Sequence, residues 1–140
     1  MDDPQQPQID AILSSFRRVA VVGLSDNPSR PSNEVAGYLL KHGFEITPVN
    51  PTINEVFGIP SASDLWSVAA PLEIVDVFRR SDEAGAVVDE AIAAGARAVW
   101  LQEGVVDEAA AARAKAAGLL VVMDRCMLKE HARRAATGQL

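Results

Sequence analysis

The chain has 140 residues, of which 49% are hydrophobic and 23% are charged. This composition suits one compact domain with its own core and leaves no room for a second catalytic domain. The net charge of -6 argues against broad electrostatic binding to nucleic acid or to an anionic membrane, because both kinds of binding need a clustered positive surface.

Cysteine and histidine are too few for disulfide or metal chemistry. Cys126 is the single cysteine, so no internal disulfide forms, and the two histidines lie on separate predicted helices, which gives no metal-ligand set. The first residues are acidic and polar where a signal peptide would be basic and then apolar, so we expect a cytoplasmic protein. No apolar run approaches the roughly 18 residues of a membrane span.

The first predicted elements set an alternation of strands and helices. We expect a flexible tail over 1–8, followed by a single domain over 9–140 that begins with a short helix. The apolar run 19–22 ends at Gly23 and is typical of a strand buried on both faces of a parallel sheet. A helix from Ser32 or Asn33 follows, and Gly43 ends it.

The same alternation continues to the end of the chain. A loose connection is predicted over 52–72, with a short helix at 62–68. Ser81 is the expected N-cap of the helix at 82–94. Alternation of this kind predicts a three-layer α/β domain with a five-stranded, mainly parallel sheet flanked by helices. The remaining predicted strands are 45–49, 73–78, 98–101 and 119–123, and the remaining predicted helices are 107–117 and 127–135.

Small, cationic or hydrogen-bonding residues follow each predicted strand. In an open parallel sheet, ligands bind in the crevice outside the carboxyl ends of the strands, so these residues are candidate contacts. An acidic chain with cations at one sheet edge suits a small anionic ligand. The cations predicted there are Arg30, Arg79, Arg80 and Arg125.

The turn after the first strand departs from the dinucleotide pattern. Gly23 is present, but the second and third glycines of G-x-G-x-x-G are missing. Asn50 stands where a carboxylate would hold ribose hydroxyls, which argues against an ordinary NAD-dependent dehydrogenase. The Ser25 hydroxyl and the helix start near Ser32 remain available to a phosphate, although the same residues also serve simply to turn the chain and cap a helix.

Six motifs in order carry a family resemblance. They are Val-Val-Gly-Leu-Ser at 21–25, Arg-Pro-Ser at 30–32, Pro-Val-Asn-Pro at 48–51, Val-Phe-Arg-Arg-Ser at 77–81, Trp-Leu-Gln at 100–102 and Met-Asp-Arg-Cys at 123–126. Over about 15–134 the chain resembles the small stand-alone CoA-binding proteins. The resemblance implies a Rossmann-like CoA-binding domain, similar to the first domain of the succinyl-CoA synthetase α subunit, and it implies no established reaction.

The resemblance also implies where coenzyme A would lie. Gly23 and Ser25 would form the phosphate turn, supported by Arg30 and Ser32. The remaining expected contacts are Val49, Asn50 and Pro51 for adenosine, Phe78 over the adenine or ribose, Arg79 or Arg80 on a phosphate, and Gln102, Glu103 and Gly104 beside the pantetheine arm.

Arg125 and Cys126 support a further hypothesis. If Arg125 lay against Cys126 at a helix start, cation and dipole would favour the thiolate, and Cys126 would form a mixed disulfide with bound CoA. In the alternative interpretation, Cys126 is a small, partly buried residue and Asp124 and Arg125 form a structural ion pair.

Three classes of function remain open from the sequence. The first is a non-catalytic module that binds CoA or an acyl-CoA and senses it or presents it to a protein partner. The second is an enzyme, either an NAD(P)-dependent reductase or a cysteine-dependent acyl-CoA enzyme. The third is an interaction scaffold with no ligand. Pairing of two copies of the chain is left open.

Overall fold

The computed structural model describes residues 3–138, which form seven strands, five α-helices and one 3₁₀ turn. None of these helices is both long and apolar enough to cross a membrane. The strands are β1 (Arg18–Val22), β2 (Glu45–Val49), β3 (Glu55–Val56), β4 (Ile59–Pro60), β5 (Ile74–Val77), β6 (Ala98–Leu101) and β7 (Leu120–Val122). The helices are α1 (Gln6–Ser15), α2 (Pro31–Lys41), α3 (Ser81–Ala93), α4 (Glu108–Ala116) and α5 (Met127–Ala136).

Five strands build one parallel sheet in the order β2-β1-β5-β6-β7. The chain leaves β1 toward β2 on one side, then returns to place β5 on the other side. The connection after β1 and the connection after β5 therefore run in opposite directions along the sheet. Such a switch point opens a crevice at the carboxyl ends of β1 and β5. The predicted α/β Rossmann-like fold is confirmed.

Both faces of the sheet are buried, which explains the continuous apolar runs. In β1, Val19 and Val21 face the cluster built with α1, α2 and α5, whereas Ala20 and Val22 face the cluster built with α3 and α4. Full burial of a large aliphatic side chain is worth about 1.5–3 kcal/mol. The two clusters therefore hold the strand ends, and the residues after them, in fixed positions.

The N-terminal segment corrects the expected tail over 1–8. Met1 and Asp2 lie outside the described residues, but α1 already begins at Gln6. The Gln5 side-chain amide donates to the Met123 carbonyl oxygen at 2.9 Å and accepts from the Met123 N–H at 2.7 Å. The expectation is therefore wrong for 3–8, because this segment pairs with the chain just after β7.

Two local predictions are also corrected. The connection over 52–72 contains the antiparallel β3–β4 hairpin, and the helix predicted at 62–68 is reduced to a 3₁₀ turn, Leu65–Ser67. Ser81 is not an N-cap, because it is the first residue of α3. Its hydroxyl instead accepts from the Val106 N–H at 2.9 Å and donates to the Gly104 carbonyl oxygen at 3.2 Å.

Candidate functional site

A pocket of about 530 Å³ opens where β1, β5 and β6 end and α2 and α5 begin. We call it the Ser25 pocket. It combines hydroxyl, amide, guanidinium and thiol groups with apolar side chains, as small-molecule sites do. Its lining residues are Gly23, Ser25, Arg30, Pro31, Ser32, Val35, Phe78, Gln102, Glu103, Val105 and Cys126.

Gly23 lets the ends of β1 and β5 approach each other closely beside the pocket. Its φ of +86° is in the left-handed region that favours glycine, and a Cβ there would collide with the carbonyl oxygen of Phe78. The Phe78 N–H in turn donates to the Val22 carbonyl oxygen at 2.9 Å. The glycine is thus required by close backbone approach, whether or not a ligand is bound.

The start of α2 faces the pocket without a side-chain cap. Arg30 occupies the N-cap position with extended backbone, and Pro31 follows at the first helical position. Ser32 accepts a hydrogen bond from the Ser25 N–H at 3.0 Å, and the Asn33 amide donates to the Ser25 carbonyl oxygen at 2.9 Å. These bonds fix the turn against a helix end whose partial positive charge attracts anions.

Arg30 adds a full positive charge at that helix start. Its side chain is exposed, and none of the ion pairs described within residues 3–138 involves it. A guanidinium presents a planar fork of donors that suits phosphate oxygens. Arg30 is therefore the cation of this pocket that is available to a ligand.

Cys126 lies at the start of α5 and is 8% exposed. Burial raises the pKa of its thiol above the ordinary value, outweighing the backbone N–H groups of Leu128 and Lys129, which favour the thiolate. The hypothesis that Arg125 activates this thiol is wrong, because the Arg125 guanidinium pairs with Asp3 at 2.6 and 3.2 Å. Arg125 also does not line the Ser25 pocket.

Gln102 is a nearly buried polar wall of the pocket, at 3% exposure. Its Nε2 donates to Oδ1 of Asp76 at 2.6 Å, and Asp76 is fully buried within β5. Burial raises the pKa of Asp76 to about 7, against the lowering effect of the Gln102 hydrogen bond. A carboxyl group beneath the pocket therefore changes its charge near neutral pH.

Glu103 gives the Gln102 side of the pocket a different electrostatic character from the α2 side. Its carboxylate is paired with the Lys129 ammonium at 2.9 and 3.0 Å, which offsets its charge. The carboxylate would repel a phosphate there, whereas it would not repel a neutral group. The pocket thus has one end adapted to an anion and another adapted to a neutral hydrogen-bonding group.

Three expected contacts line a separate depression of about 140 Å³, which we call the Arg79 depression. They are Val49, Pro51 and Arg79, which stand there with Asp64 and Glu90. Apolar residues of the cluster packed by α3 and α4 form part of its wall. The pocket and the depression share no lining residue, but they adjoin at Gly23, whose N–H donates to the Val49 carbonyl oxygen at 3.0 Å and whose Cα lies beside the Arg79 side chain.

Three further expected contacts line neither the Ser25 pocket nor the Arg79 depression. The Asn50 side chain donates to the Leu24 carbonyl oxygen and accepts from the N–H and hydroxyl of Thr52. Arg80 is 76% exposed and pairs with Asp82 and Glu83. The Gly104 N–H donates to Asp124 at 2.7 Å. Each of these residues has a local structural partner.

Sequence reasoning missed several residues of this site. Pro31, Val35 and Val105 complete the pocket wall, but their types carry no chemical signal that marks them. Asp76 did leave a signal, because a carboxylate inside the apolar run Ile-Val-Asp-Val is unusual for a strand buried on both faces. Within residues 3–138 no group of three or more acidic, histidine or cysteine side chains is arranged to hold a metal ion.

Fold and pocket together define the class: a Rossmann-like α/β domain with a ligand pocket at the switch point of its parallel sheet. Residues 17–132 match the family model described as CoA binding domain. The chain belongs to the CoA-binding domain family. The resemblance read from the six sequence motifs is thereby confirmed.

Close relatives support the assignment over nearly the whole chain. The uncharacterized protein YneT of Bacillus subtilis (strain 168) is 42% identical over 132 residues, which are 94% of this chain and 98% of that protein. A solved structure of a hypothetical protein from Pyrococcus horikoshii OT3 is 34% identical, with a TM-score of 0.89, covering 95% of this chain and 96% of that one. The structure of cell-free ID.343 from Thermus thermophilus is 36% identical, with a TM-score of 0.85, covering 95% of this chain and 98% of that one.

Proposed function

We propose that the protein binds coenzyme A or an acyl-CoA in the Ser25 pocket without transforming it, and that it senses the ligand or presents it to a partner protein. The family membership supports the ligand class. The observation that carries the proposal is that three features meet at a pocket of about 530 Å³: the α2 start, which has no side-chain cap, Ser25, and Arg30, which has no ion pair among residues 3–138.

The two ends of the pocket match the two chemical parts of the ligand. Phosphates suit the α2 end, where helix dipole, hydroxyls and guanidinium all favour negative charge. The pantetheine arm is neutral and carries amide N–H and C=O groups, so it suits the end formed by Gln102, Glu103 and Cys126. Phe78 adds an apolar contact to the pocket wall.

Isothermal titration of the reduced, ligand-stripped protein tests this proposal. CoA is the titrant, and 3′-dephospho-CoA and NAD are the comparisons. We expect saturable one-to-one binding of CoA that is tighter than binding of NAD. Tighter binding of NAD would instead favour a nicotinamide reductase, and no heat of binding at several temperatures would favour a scaffold without a ligand.

A further inference from the structure

Asp76 and Gln102 form a buried pair whose chemistry a simple packing role does not explain. The carboxyl group is fully buried, and its Oδ2 has no hydrogen-bond partner within the described residues. Its Oδ1 accepts from Gln102 Nε2 at 2.6 Å, so the carboxyl group has this single side-chain partner among the described residues. A buried carboxyl with an unsatisfied oxygen is costly, and such features cluster at functional sites.

By elimination, we infer that the Oε1 atom of the same amide is left to the pocket. Gln102 lines the pocket, and no donor within residues 3–138 reaches its Oε1, which is not among the buried unpartnered atoms either. An amide offers a donor on one side and an acceptor on the other. When Nε2 is committed to Asp76, the pocket therefore receives the acceptor.

We propose that Asp76 is a positioning residue for ligand binding, and that its proton decides which side of the Gln102 amide the pocket presents. Ionised Asp76 accepts from Nε2, so Oε1 is offered to the ligand. Protonated Asp76 gains an O–H donor, which is satisfied when the amide turns and Oε1 accepts from it. The pocket is then offered Nε2, and the exchanged proton comes from water.

The acceptor state fits the arm of the ligand, and this step rests on the proposed function. Glu103 disfavours a phosphate at this end, so the neighbouring group is a neutral amide whose N–H donates to Oε1. Binding of CoA should therefore prefer ionised Asp76. Because the pKa of Asp76 is about 7, affinity should rise as the pH passes through neutrality.

Other titrating groups must be separated from this effect. The flanking residues on β1 and β6, Val21 and Trp100, do not titrate, and the shift of Asp76 has only burial and Gln102 as causes. Charged or titratable groups on the elements around the pocket include Arg30 and Glu34 of the α2 start, Glu103 after β6, Asp124 and Arg125 after β7, and Cys126, Lys129, Glu130 and His131 of the α5 segment. Their contributions are the same in wild type and in Asp76→Asn, so a ratio of the two removes them.

The experiment titrates CoA and adenosine 3′,5′-bisphosphate, which lacks the arm, into wild type, Asp76→Asn and Gln102→Met. At about one pH unit below and above the pKa of Asp76, the ionised fraction changes about tenfold. We expect wild-type affinity for CoA, divided by that of Asp76→Asn, to rise about tenfold between these conditions. Adenosine 3′,5′-bisphosphate should show no such rise. Asp89→Asn, which removes a carboxylate paired with Arg113 outside the pocket, should behave as wild type.

Gln102→Met keeps Asp76 but removes the amide, so it decides the question even if Asp76→Asn does not fold. It should lose the pH-dependent component and bind CoA more weakly than wild type at the higher pH. If CoA binding depends on pH in both variants as it does in wild type, or if adenosine 3′,5′-bisphosphate shows the same tenfold rise, this inference is overturned while the proposed function stays intact. Wild type that does not bind CoA at either pH would overturn both.

Discussion

Single residues decide what the pocket can hold. Gly23 lets the Phe78 backbone approach closely, Ser32 holds the Ser25 turn, and Arg30 supplies charge without an acidic partner among residues 3–138. The two other arginines on the phosphate side of the sequence prediction differ from Arg30. Arg79 lines another hollow, and Arg80 is held by two carboxylates.

The first prediction compares Arg30, expected from the sequence to support the phosphate turn, with Arg80, one of the two arginines expected on a phosphate. Arg30→Ala should weaken CoA binding by about 1 kcal/mol or more, roughly fivefold, because it removes a charge-assisted contact. Arg80→Ala is the matched control, because Arg80 lies outside the pocket, and affinity should stay within about 0.5 kcal/mol of wild type. Titration calorimetry measures both. A larger loss in Arg80→Ala than in Arg30→Ala would contradict this placement of the phosphates.

A second prediction concerns the stability cost of Asp76. Burial raises its pKa from 3.8 to about 7, so between these values the folded chain holds a proton that the unfolded chain has released. Stability from this group is therefore present at low pH and is lost as the pH rises toward 7. The free energy of unfolding of wild type, relative to Asp76→Asn, should fall by about 1.4 kcal/mol per pH unit in that range. Urea unfolding across this range measures the slope, and parallel curves would show that Asp76 titrates normally.

At the scale of elements, α4 is held by a specific contact at its start as well as by its apolar face. In α4 the buried residues are alanines, Ala110, Ala111 and Ala114, so this helix gains little from large side chains. The Asp107 carboxylate caps it by accepting from the Ala110 N–H at 2.9 Å. The cap therefore carries an unusual share of the stability of this element.

The capping role gives a third prediction. Asp107→Ala should lower the free energy of unfolding by about 1 kcal/mol, since an N-cap acceptor is lost. Glu108→Ala is the control, because Glu108 is exposed in the first turn of the same helix and accepts no capping bond. Chemical denaturation of both variants is the measurement, and equal losses would show that charge near the helix start matters more than the cap.

A fourth prediction tests the contact between the N-terminal segment and the sheet edge. Gln5→Ala leaves both the N–H and the carbonyl oxygen of Met123 without their partner, which should cost about 1–3 kcal/mol of stability. Gln8→Ala removes the same side-chain type from α1 and should change stability by less than about 0.5 kcal/mol. If the two variants unfold at the same denaturant concentration, the contact between Gln5 and Met123 does not stabilise the fold.

The sequence predicts the bounds of an element well where a run of buried residues is followed by a residue that ends a strand or helix. β2 and β6 have the predicted bounds, because apolar runs end at Asn50 before a proline and at polar Gln102. The Gln5 contact was not predictable, since a side chain reaching across 118 positions leaves no periodic pattern. The same reason hides the pairing of Arg125 with Asp3.

For the whole molecule, the single ligand crevice expected at the carboxyl ends of the strands corresponds to two cavities, the Ser25 pocket and the Arg79 depression. Strand order brings Gly23, Phe78 and Gln102 together, as parallel strands require. Val49 and Pro51 line the Arg79 depression instead. The sequence could not predict this, because it does not show toward which side of the strand ends a side chain turns. Within a chain of net charge -6, the α2 start is thus a local cationic site, and this contrast favours an anionic ligand there.

A crystal structure of the reduced protein with CoA would show where the phosphates and the pantetheine arm bind. We expect ligand phosphates at the first turn of α2, within hydrogen-bond distance of Ser25, Ser32 or Arg30, and the pantetheine arm beside Gln102. Phosphates seated only in the Arg79 depression, with the Ser25 pocket holding no part of CoA, would contradict this expectation.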